Sequence, residues 1–325
     1  MLIPRFWARV TSHATAPDGR SIPFHTWRGS RESQAAAEAL AAEAAERIAA
    51  RIARGEGFPE KYTYGNRPLR EEVVRELPGA GNDPDVAVTR NSYGALVLNA
   101  ARVFFIDVDV PAEGSAEPPR AGGSDPAAAL LDSPIGKAVT DALPPSVRSL
   151  VQGLFGRGAA TPEPTPAPAR PASPTDAALD QLRTWLRSRP DWNVRVYRTS
   201  AGLRYVVTHA TFSATDPETV SIMEALGADP QYIRLCRAQK SFRARLTPKP
   251  WRLHMENPPA RFPYESASDE AAVRDWIRRY DEASRRYSTC RLMEVIGSGA
   301  EHPDVAPVVA MHDEHTGADG DRPLA

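Results

Sequence analysis

The chain has 325 residues, which is enough for one large domain or two of ordinary size. Its 40 basic and 41 acidic residues nearly cancel, so overall charge indicates no class of partner, while 42% hydrophobic residues support a real core. No apolar run is long enough to cross a bilayer and the first residues lack an export-signal pattern, so we expect a cytoplasmic protein without a membrane partner. Cys236 and Cys290 are too few for a disulfide framework or a cysteine zinc site.

Residues 1–111 predict the first half of an α+β domain. The turn signal PDG at 17–19 lies at the centre of a hairpin, and a long alanine-rich helix follows over residues 33–53. RPLREEVVREL then predicts a short amphipathic helix. VAVTRNSYGALVL and RVFFIDVDV predict two adjacent strands separated by a brief turn.

The second of these strands ends in two aspartates. Because side chains alternate faces along a strand, Asp107 and Asp109 share one face and lie about 7 Å apart. Such a pair suits Mg²⁺ or Mn²⁺, which prefer carboxylate oxygens. The structural alternative is a strand that simply emerges into solvent, with Pro111 starting a loop.

Composition divides the rest of the chain into three parts. Residues 112–175 are rich in Ala, Pro and Gly and predict a low-complexity insertion. Residues 176–297 predict the second half of the same α+β core, with a helix, a hairpin over residues 193–212, a helix broken at Gly227 or Pro230, and a long helix over residues 269–297. Residues 298–325 have no helical or strand period and predict a disordered tail. A split into two domains at the insertion is the competing organisation.

The turn of the second hairpin, TSAGLR, gathers groups that bind phosphate. These are the hydroxyls of Thr199 and Ser200, the backbone near Gly202 and the guanidinium of Arg204. A plain glycine turn without a ligand explains the same residues.

A run of basic residues between 231 and 255 contains no acidic residue. The first four members recur every third position, which on a helix makes a drifting stripe that attracts polyphosphate or a nucleic-acid backbone. Phe242 and Trp251 add aromatic surfaces nearby. The alternative is a solvated helix face paired with the acidic residues of SASDEAAVRD. The members are Arg234, Arg237, Lys240, Arg243, Arg245, Lys249 and Arg252.

Three features stand in one order along residues 86–252, leaving the insertion aside: the strand ending in DVD, the turn TSAGLR and the segment GADPQYIRLCRAQKSFRARLTPKP. This arrangement resembles the catalytic core of the archaeo-eukaryotic primase and primase-polymerase superfamily. In that family, a strand ending in DxD or DxE precedes a small-residue turn with a histidine, and a third acidic residue follows near basic groups. Arg204 stands where the family has its histidine.

The resemblance implies an RRM-like palm sheet with flanking helices, and template-directed nucleotidyl transfer with two divalent metals. Carried over by position, Asp107, Asp109 and Asp229 would hold metal, with Asp216 and Glu218 as rivals for the third ligand. The turn from Thr199 to Arg204 would bind a nucleoside triphosphate.

We therefore expect a metal-dependent nucleotidyltransferase-like protein of the primase-polymerase type. It would use Mg²⁺ or Mn²⁺ and bind nucleic acid through the basic run. Two alternatives stay open. One is a non-catalytic nucleic-acid-binding module on an RRM-like sheet, and the other is a metal-dependent nuclease or phosphodiesterase that uses the same acidic pair.

Overall fold

The structure, a computed structural model, describes residues 1–58, 68–77, 84–110 and 173–325. These residues form a mixed α+β fold with antiparallel sheets. The strands are β1 Phe6–Thr15, β2 Ser21–Ser30, β3 Glu72–Leu77, β4 Val86–Arg90, β5 Leu96–Ala100, β6 Phe104–Asp109, β7 Asn193–Thr199, β8 Gly202–Val207, β9 Phe242–Arg245 and β10 Cys290–Gly297. The α-helices are α1 Gln34–Ala53, α2 Pro174–Leu186, α3 Pro217–Ala225, α4 Pro230–Gln239, α5 Ala267–Ser284 and α6 Ala306–Thr316.

The expected insertion, residues 112–175, lies outside the described residues except for its last three, where α2 begins at Pro174. The described residues on either side of it belong to one compact unit. None of the described helices is both long and apolar enough to span a membrane.

The N-terminal hairpin and the long helix were predicted correctly. β1 pairs with β2 in antiparallel register from Phe6↔Ser30 to Thr15↔Ser21, and the Ser33 hydroxyl caps α1 by accepting from the Ala36 N–H at 3.1 Å. Buried alanines, among them Ala37 and Ala41, let α1 pack closely on the hairpin because they leave no side chain to hold the backbones apart.

Two four-stranded sheets form the rest of the β structure, in the orders β10–β7–β8–β6 and β3–β4–β5–β9. β9 also packs against β6. The Tyr232 hydroxyl links these two strands, since it lies 2.8 Å from the carbonyl oxygen of Phe105 on β6 and 3.1 Å from that of Arg243 on β9.

Several predictions before the insertion are wrong. RPLREEVVREL contains strand β3 rather than a helix, because pairing with β4 and the β-branched pair Val73–Val74 outweigh its helical spacing. VAVTRNSYGALVL is a hairpin of two strands, β4 and β5, and not one strand. β5 and β6 are not paired neighbours, since β6 pairs with β8 in the other sheet.

The C-terminal predictions are also corrected. The helix expected over residues 269–297 ends at Ser284, and β10 then adds an edge strand to β7. The expected tail is wrong as well, because α6 is an ordered helix in which Val308, Val309 and His312 are buried.

The two faces of the β6–β8–β7 surface are covered by different helices. On one face the Tyr205 hydroxyl donates to the carbonyl of Ala178 on α2. On the other, His312 of α6 packs against Phe105 and Tyr197, with ring centroids 5.3 and 5.1 Å apart. Asp107 and Asp109 belong to this second face, so the acidic end of β6 lies beside α6.

Candidate functional site

A cleft of about 350 Å³ opens where β6 ends. Five chain segments meet there: the end of β6, the turn end of the β7–β8 hairpin, the start of α4, the end of β9 with the residues that follow it, and Thr289 just before β10. The residues that line it are Asp107, Asp109, Thr199, Ser200, Ala201, Leu203, Arg204, Asp229, Gln231, Tyr232, Leu235, Arg245, Lys249, Arg252 and Thr289.

Asp107 is held by Arg204, its direct cross-strand neighbour on β8. Arg204 donates from Nε to Oδ1 at 2.7 Å and from Nη2 to Oδ2 at 3.0 Å, a bidentate pair. The arginine side chain is 3% exposed and the aspartate side chain 30% exposed. Burial by itself lowers the pKa of Arg204, but the Asp107 carboxylate outweighs burial and raises it. The guanidinium is therefore fully charged at any physiological pH.

Arg204 is held in place by contacts with β9 and α6. Its Nη1 donates to the carbonyl of Arg245 at 3.1 Å and lies 3.2 Å from Nε2 of His312. His312 Nδ1 lies 2.8 Å from Oδ1 of Asp313. Because guanidinium has no acceptor, Nε2 must accept and Nδ1 must carry the proton, so His312 is neutral. Burial lowers the pKa of His312 accordingly.

Asp109 and Asp229 supply the remaining carboxylates. The Asp229 backbone N–H lies 3.3 Å from the Asp107 carbonyl oxygen, which ties the start of α4 to β6. Asp229 caps that helix by accepting from the Gln231 N–H at 2.9 Å. Burial, then the charges of Asp229 and Asp107, raise the pKa of Asp109, while Lys249 and Arg245 oppose the rise. Among the described residues, Asp109 and Asp229 take part in no ion pair.

Three cations face these carboxylates. Arg245 is the last residue of β9. Lys249 comes just before the short 3₁₀ helix Pro250–Leu253, and Arg252 lies in that helix. Burial, then the charges of Arg245 and Arg252, lower the pKa of Lys249. Burial, then Arg245, likewise lowers the pKa of Arg252. The three cations therefore repel one another, and a bound anion would reduce this repulsion.

The turn residues differ in their roles. Thr199 and Ser200 line the cleft, and the Ser200 hydroxyl is hydrogen-bonded to the Arg252 guanidinium. Gly202 does not line it. A Cβ at Gly202 would overlap the Val108 carbonyl oxygen, so glycine is needed there for the close approach of β8 to β6 rather than for a ligand.

The basic run does not form one stripe. Arg234 and Arg237 are exposed on α4, Lys240 is exposed at the position that follows α4, and none of the three lines the cleft. None of them forms an ion pair within the described parts of the chain, so pairing with SASDEAAVRD is not seen. Arg243 lies on β9, where it is buried and donates to both Glu71 oxygens at 2.7 and 2.9 Å. Its expected place on a helical, phosphate-facing stripe is wrong.

A comparison with protein-family models finds no match, and comparisons with curated proteins and with solved structures find none either.

The described residues contain no group of three or more His, Cys, Asp or Glu side chains already arranged around a metal position. The chemistry of the cleft nevertheless fits a hard cation, since Asp109 and Asp229 offer oxygens and repel each other without one. Asp107 has both oxygens engaged by Arg204, which leaves only their outer lone pairs for a ligand.

Sequence reasoning missed two parts of the site. His312 and Asp313 lie in the segment taken as a tail, and no capping residue marked the helix that carries them, since Val305 makes no side-chain cap. Tyr232 looked like an ordinary helix residue but joins β6 to β9 beneath the cleft. Phe242, expected as an accessible aromatic, is fully buried against Phe104.

Proposed function

We propose that this protein is a metal-dependent nucleotidyltransferase-like protein of the primase-polymerase type. The observation that carries the proposal is the convergence of Asp107, Asp109 and Asp229 with Arg245, Lys249 and Arg252 in one cleft. These residues come from distant parts of the chain, and the resemblance predicted that the acidic ones belong to one site.

The strand arrangement supports the same assignment. β6, α2, β7, β8, the helices α3 and α4, and β9 follow one another in a βαββαβ series. β8 pairs with both β6 and β7, and β9 contacts β6 without pairing with it, so placing β9 at the free edge of β6 gives the strand order β9–β6–β8–β7. An RRM-like palm has this split βαβ order. The two carboxylates at the end of β6 would then lie on its central strand.

The balance of charge in the cleft favours a phosphate ligand that carries a cation. After Arg204 neutralises Asp107, three cations and two carboxylates remain: Arg245, Lys249 and Arg252 against Asp109 and Asp229. Phosphate oxygens bind to such cations, and carboxylates are the usual protein ligands of the accompanying Mg²⁺. A nucleoside triphosphate with its metal satisfies both sets at once.

In this assignment Asp109 and Asp229 would hold Mg²⁺ or Mn²⁺. The bound metal would supply positive charge to stabilise the phosphate that is transferred to a 3′-hydroxyl. Arg245, Lys249 and Arg252 bind the phosphate oxygens and orient them. Arg204 fixes the direction of the Asp107 carboxylate, and exposed Arg234, Arg237 and Lys240 are available to a nucleic-acid backbone.

A second candidate is a nucleic-acid-binding module without turnover. The Arg204–Asp107 pair favours it, because it draws one of the three carboxylates away from metal binding. This module would use the cations of the cleft and not its carboxylates. A metal-dependent nuclease would use both sets on the same substrate class.

Primer extension separates these candidates. We expect the wild-type protein to add nucleotides to a primed or unprimed template only with Mn²⁺ or Mg²⁺, and the variant Asp109→Asn to lose this activity. Asp109→Asn is a cleaner test than Asp107→Asn because Asp109 forms no ion pair with a described residue. The control is Asp319→Asn, which removes an exposed aspartate outside the cleft lining.

The other outcomes are equally definite. No incorporation on any template would remove the polymerase assignment. Shortening of the labelled strand with the same metal and Asp109 dependence would identify a nuclease. Salt-sensitive binding that is unaffected by Asp109→Asn, without turnover, would identify the binding module.

A further inference from the structure

Trp251 lies on the surface beside the cleft. The residue is 51% exposed, although tryptophan buries a large apolar area when it packs in a core. It belongs to a short 3₁₀ helix, Pro250–Leu253, that immediately follows cleft residue Lys249. An exposed tryptophan at the edge of a charged cleft is available to stack against a ligand that offers an apolar face.

The position of the indole is fixed by its surroundings. Tyr93 packs edge-on against it with ring centroids 5.3 Å apart. The adjacent Leu253 is buried in a cluster with Trp276 and Tyr280. The Tyr280 hydroxyl holds the segment before it by a 2.8 Å hydrogen bond to the Thr247 hydroxyl. A side chain held in this way loses little freedom when a flat ligand stacks on it.

Two cleft cations neighbour Trp251 in the chain. Lys249 Nζ lies over the Trp251 ring, 5.3 Å from its centroid, and both Lys249 and Arg252 line the cleft. Trp251 itself does not line it. The surface therefore places an exposed aromatic ring outside the cleft, next to two cations that line it together with the carboxylates.

We infer that Trp251 is a stacking platform for one base of single-stranded nucleic acid, with the neighbouring phosphates on Lys249 and Arg252. Stacking on an exposed aromatic beside a basic groove is how proteins bind single strands without reading sequence. A strand fits better than a lone nucleotide because the platform lies outside the cleft that would hold the triphosphate. The inference rests on the proposed function in assigning phosphate to the cleft, but it requires no catalysis.

The test uses the full chain and fluorescence anisotropy with labelled dT20 and U20, measured without added divalent metal. We expect Trp251→Ala to weaken binding of the tighter-bound oligonucleotide by about 5- to 100-fold. Trp251→Phe keeps a flat ring and should stay within about threefold of wild type, whereas Trp251→Leu should resemble the alanine variant. The matched control is Phe58→Ala. Phe58 is similarly exposed, at 54%, but it packs against Phe24 of the N-terminal hairpin and does not line the cleft.

Further arms distinguish the mode of binding. Trp251→Ala should leave the salt dependence unchanged, whereas Lys249→Gln should lower the slope of log K against log salt by about one. A fluorescent ATP analogue should bind to Trp251→Ala as it does to wild type. If Trp251→Ala weakened binding of the ATP analogue but not of the oligonucleotides, Trp251 would contact a single nucleotide, and the inference of a bound strand would be overturned.

The inference also fails if wild type binds neither oligonucleotide, if Trp251→Ala binds within twofold of wild type, or if leucine substitutes as well as phenylalanine. These results are separable from the proposed function. Binding that depends on Trp251 without incorporation keeps this inference alone, and incorporation that is insensitive to Trp251 keeps only the proposed function.

Discussion

Arg204 and Asp107 form a bidentate ion pair across β8 and β6 in which the arginine side chain is 3% exposed and the aspartate side chain is 30% exposed. This pair joins two residues to which the sequence gave separate roles. Arg204 was predicted to bind nucleotide and Asp107 to bind metal, yet each is already the other's main partner. Their first role is to hold two strands together at the end of the cleft.

Because Arg204 is more deeply buried than Asp107, we expect the free energy of unfolding to fall by different amounts when one or the other partner is removed. Asp107→Asn leaves a buried guanidinium unpaired and should lower the free energy of unfolding by about 2–5 kcal/mol. Arg204→Met should cost less, since water still reaches Asp107. The double variant should be more stable than the sum of the single losses implies, as measured by urea unfolding. Additive losses would show that the two side chains do not interact in solution.

Asp109→Asn should stabilise the fold. The raised pKa of Asp109 means that the folded state disfavours its charged form, through burial and the charges of Asp229 and Asp107. Removing that charge should raise Tm at pH 7 by roughly 1–2 °C, a small gain because Asp109 is only partly desolvated and water still screens its charge. The gain should vanish below the normal pKa of the group, where the carboxyl is protonated in both states.

The same variant tests for the metal by a thermal-shift measurement. Mn²⁺ should raise the Tm of wild type by binding to the folded state alone, and should raise that of Asp109→Asn less. An equal shift in both proteins would place the ion elsewhere. Asp319→Asn again serves as the control.

Arg243 and Arg245 are two residues apart, but substituting the first should affect stability and substituting the second should affect binding. Arg243 is buried with Glu71, so Arg243→Met should cost about 3–5 kcal/mol of unfolding free energy by leaving that carboxylate unpaired. Arg245→Met should change stability little but lower the salt slope of oligonucleotide binding by about one. Urea unfolding and anisotropy on the same samples would give both quantities. A large binding defect in folded Arg243→Met would contradict this division.

The sequence predicted local features of this fold better than its long-range pairing. The hairpin β7–β8 and the acidic end of β6 follow from alternation and turn residues, which are properties of neighbouring positions. β3 was mistaken for a helix because the helical spacing of its apolar residues was given more weight than its β-branched pair, and its pairing with β4 is not visible within the segment itself. Arg243 was assigned to a stripe that faces nucleic acid because its partner Glu71 is 172 positions away. The residues around a buried charge do not indicate its ion-pair partner when that partner is distant in the sequence.

His312 predicts a loss of stability in weak acid. Its pKa is lowered by burial, so below its normal value of 6.5 the unfolded chain takes up a proton that the folded protein excludes. Stability should therefore be fully present above pH 6.5 and fall as pH decreases below it, by at most about 1.4 kcal/mol per pH unit for this one group. The variant His312→Gln places an amide acceptor near the position of Nε2 but does not titrate, so urea unfolding between pH 7.5 and 5.5 should show a flatter profile. His209 also has a pKa lowered by burial but is partly exposed, and His209→Gln should flatten the profile less. Identical profiles for wild type and His312→Gln would mean that the histidine behind Arg204 is not held neutral by the fold.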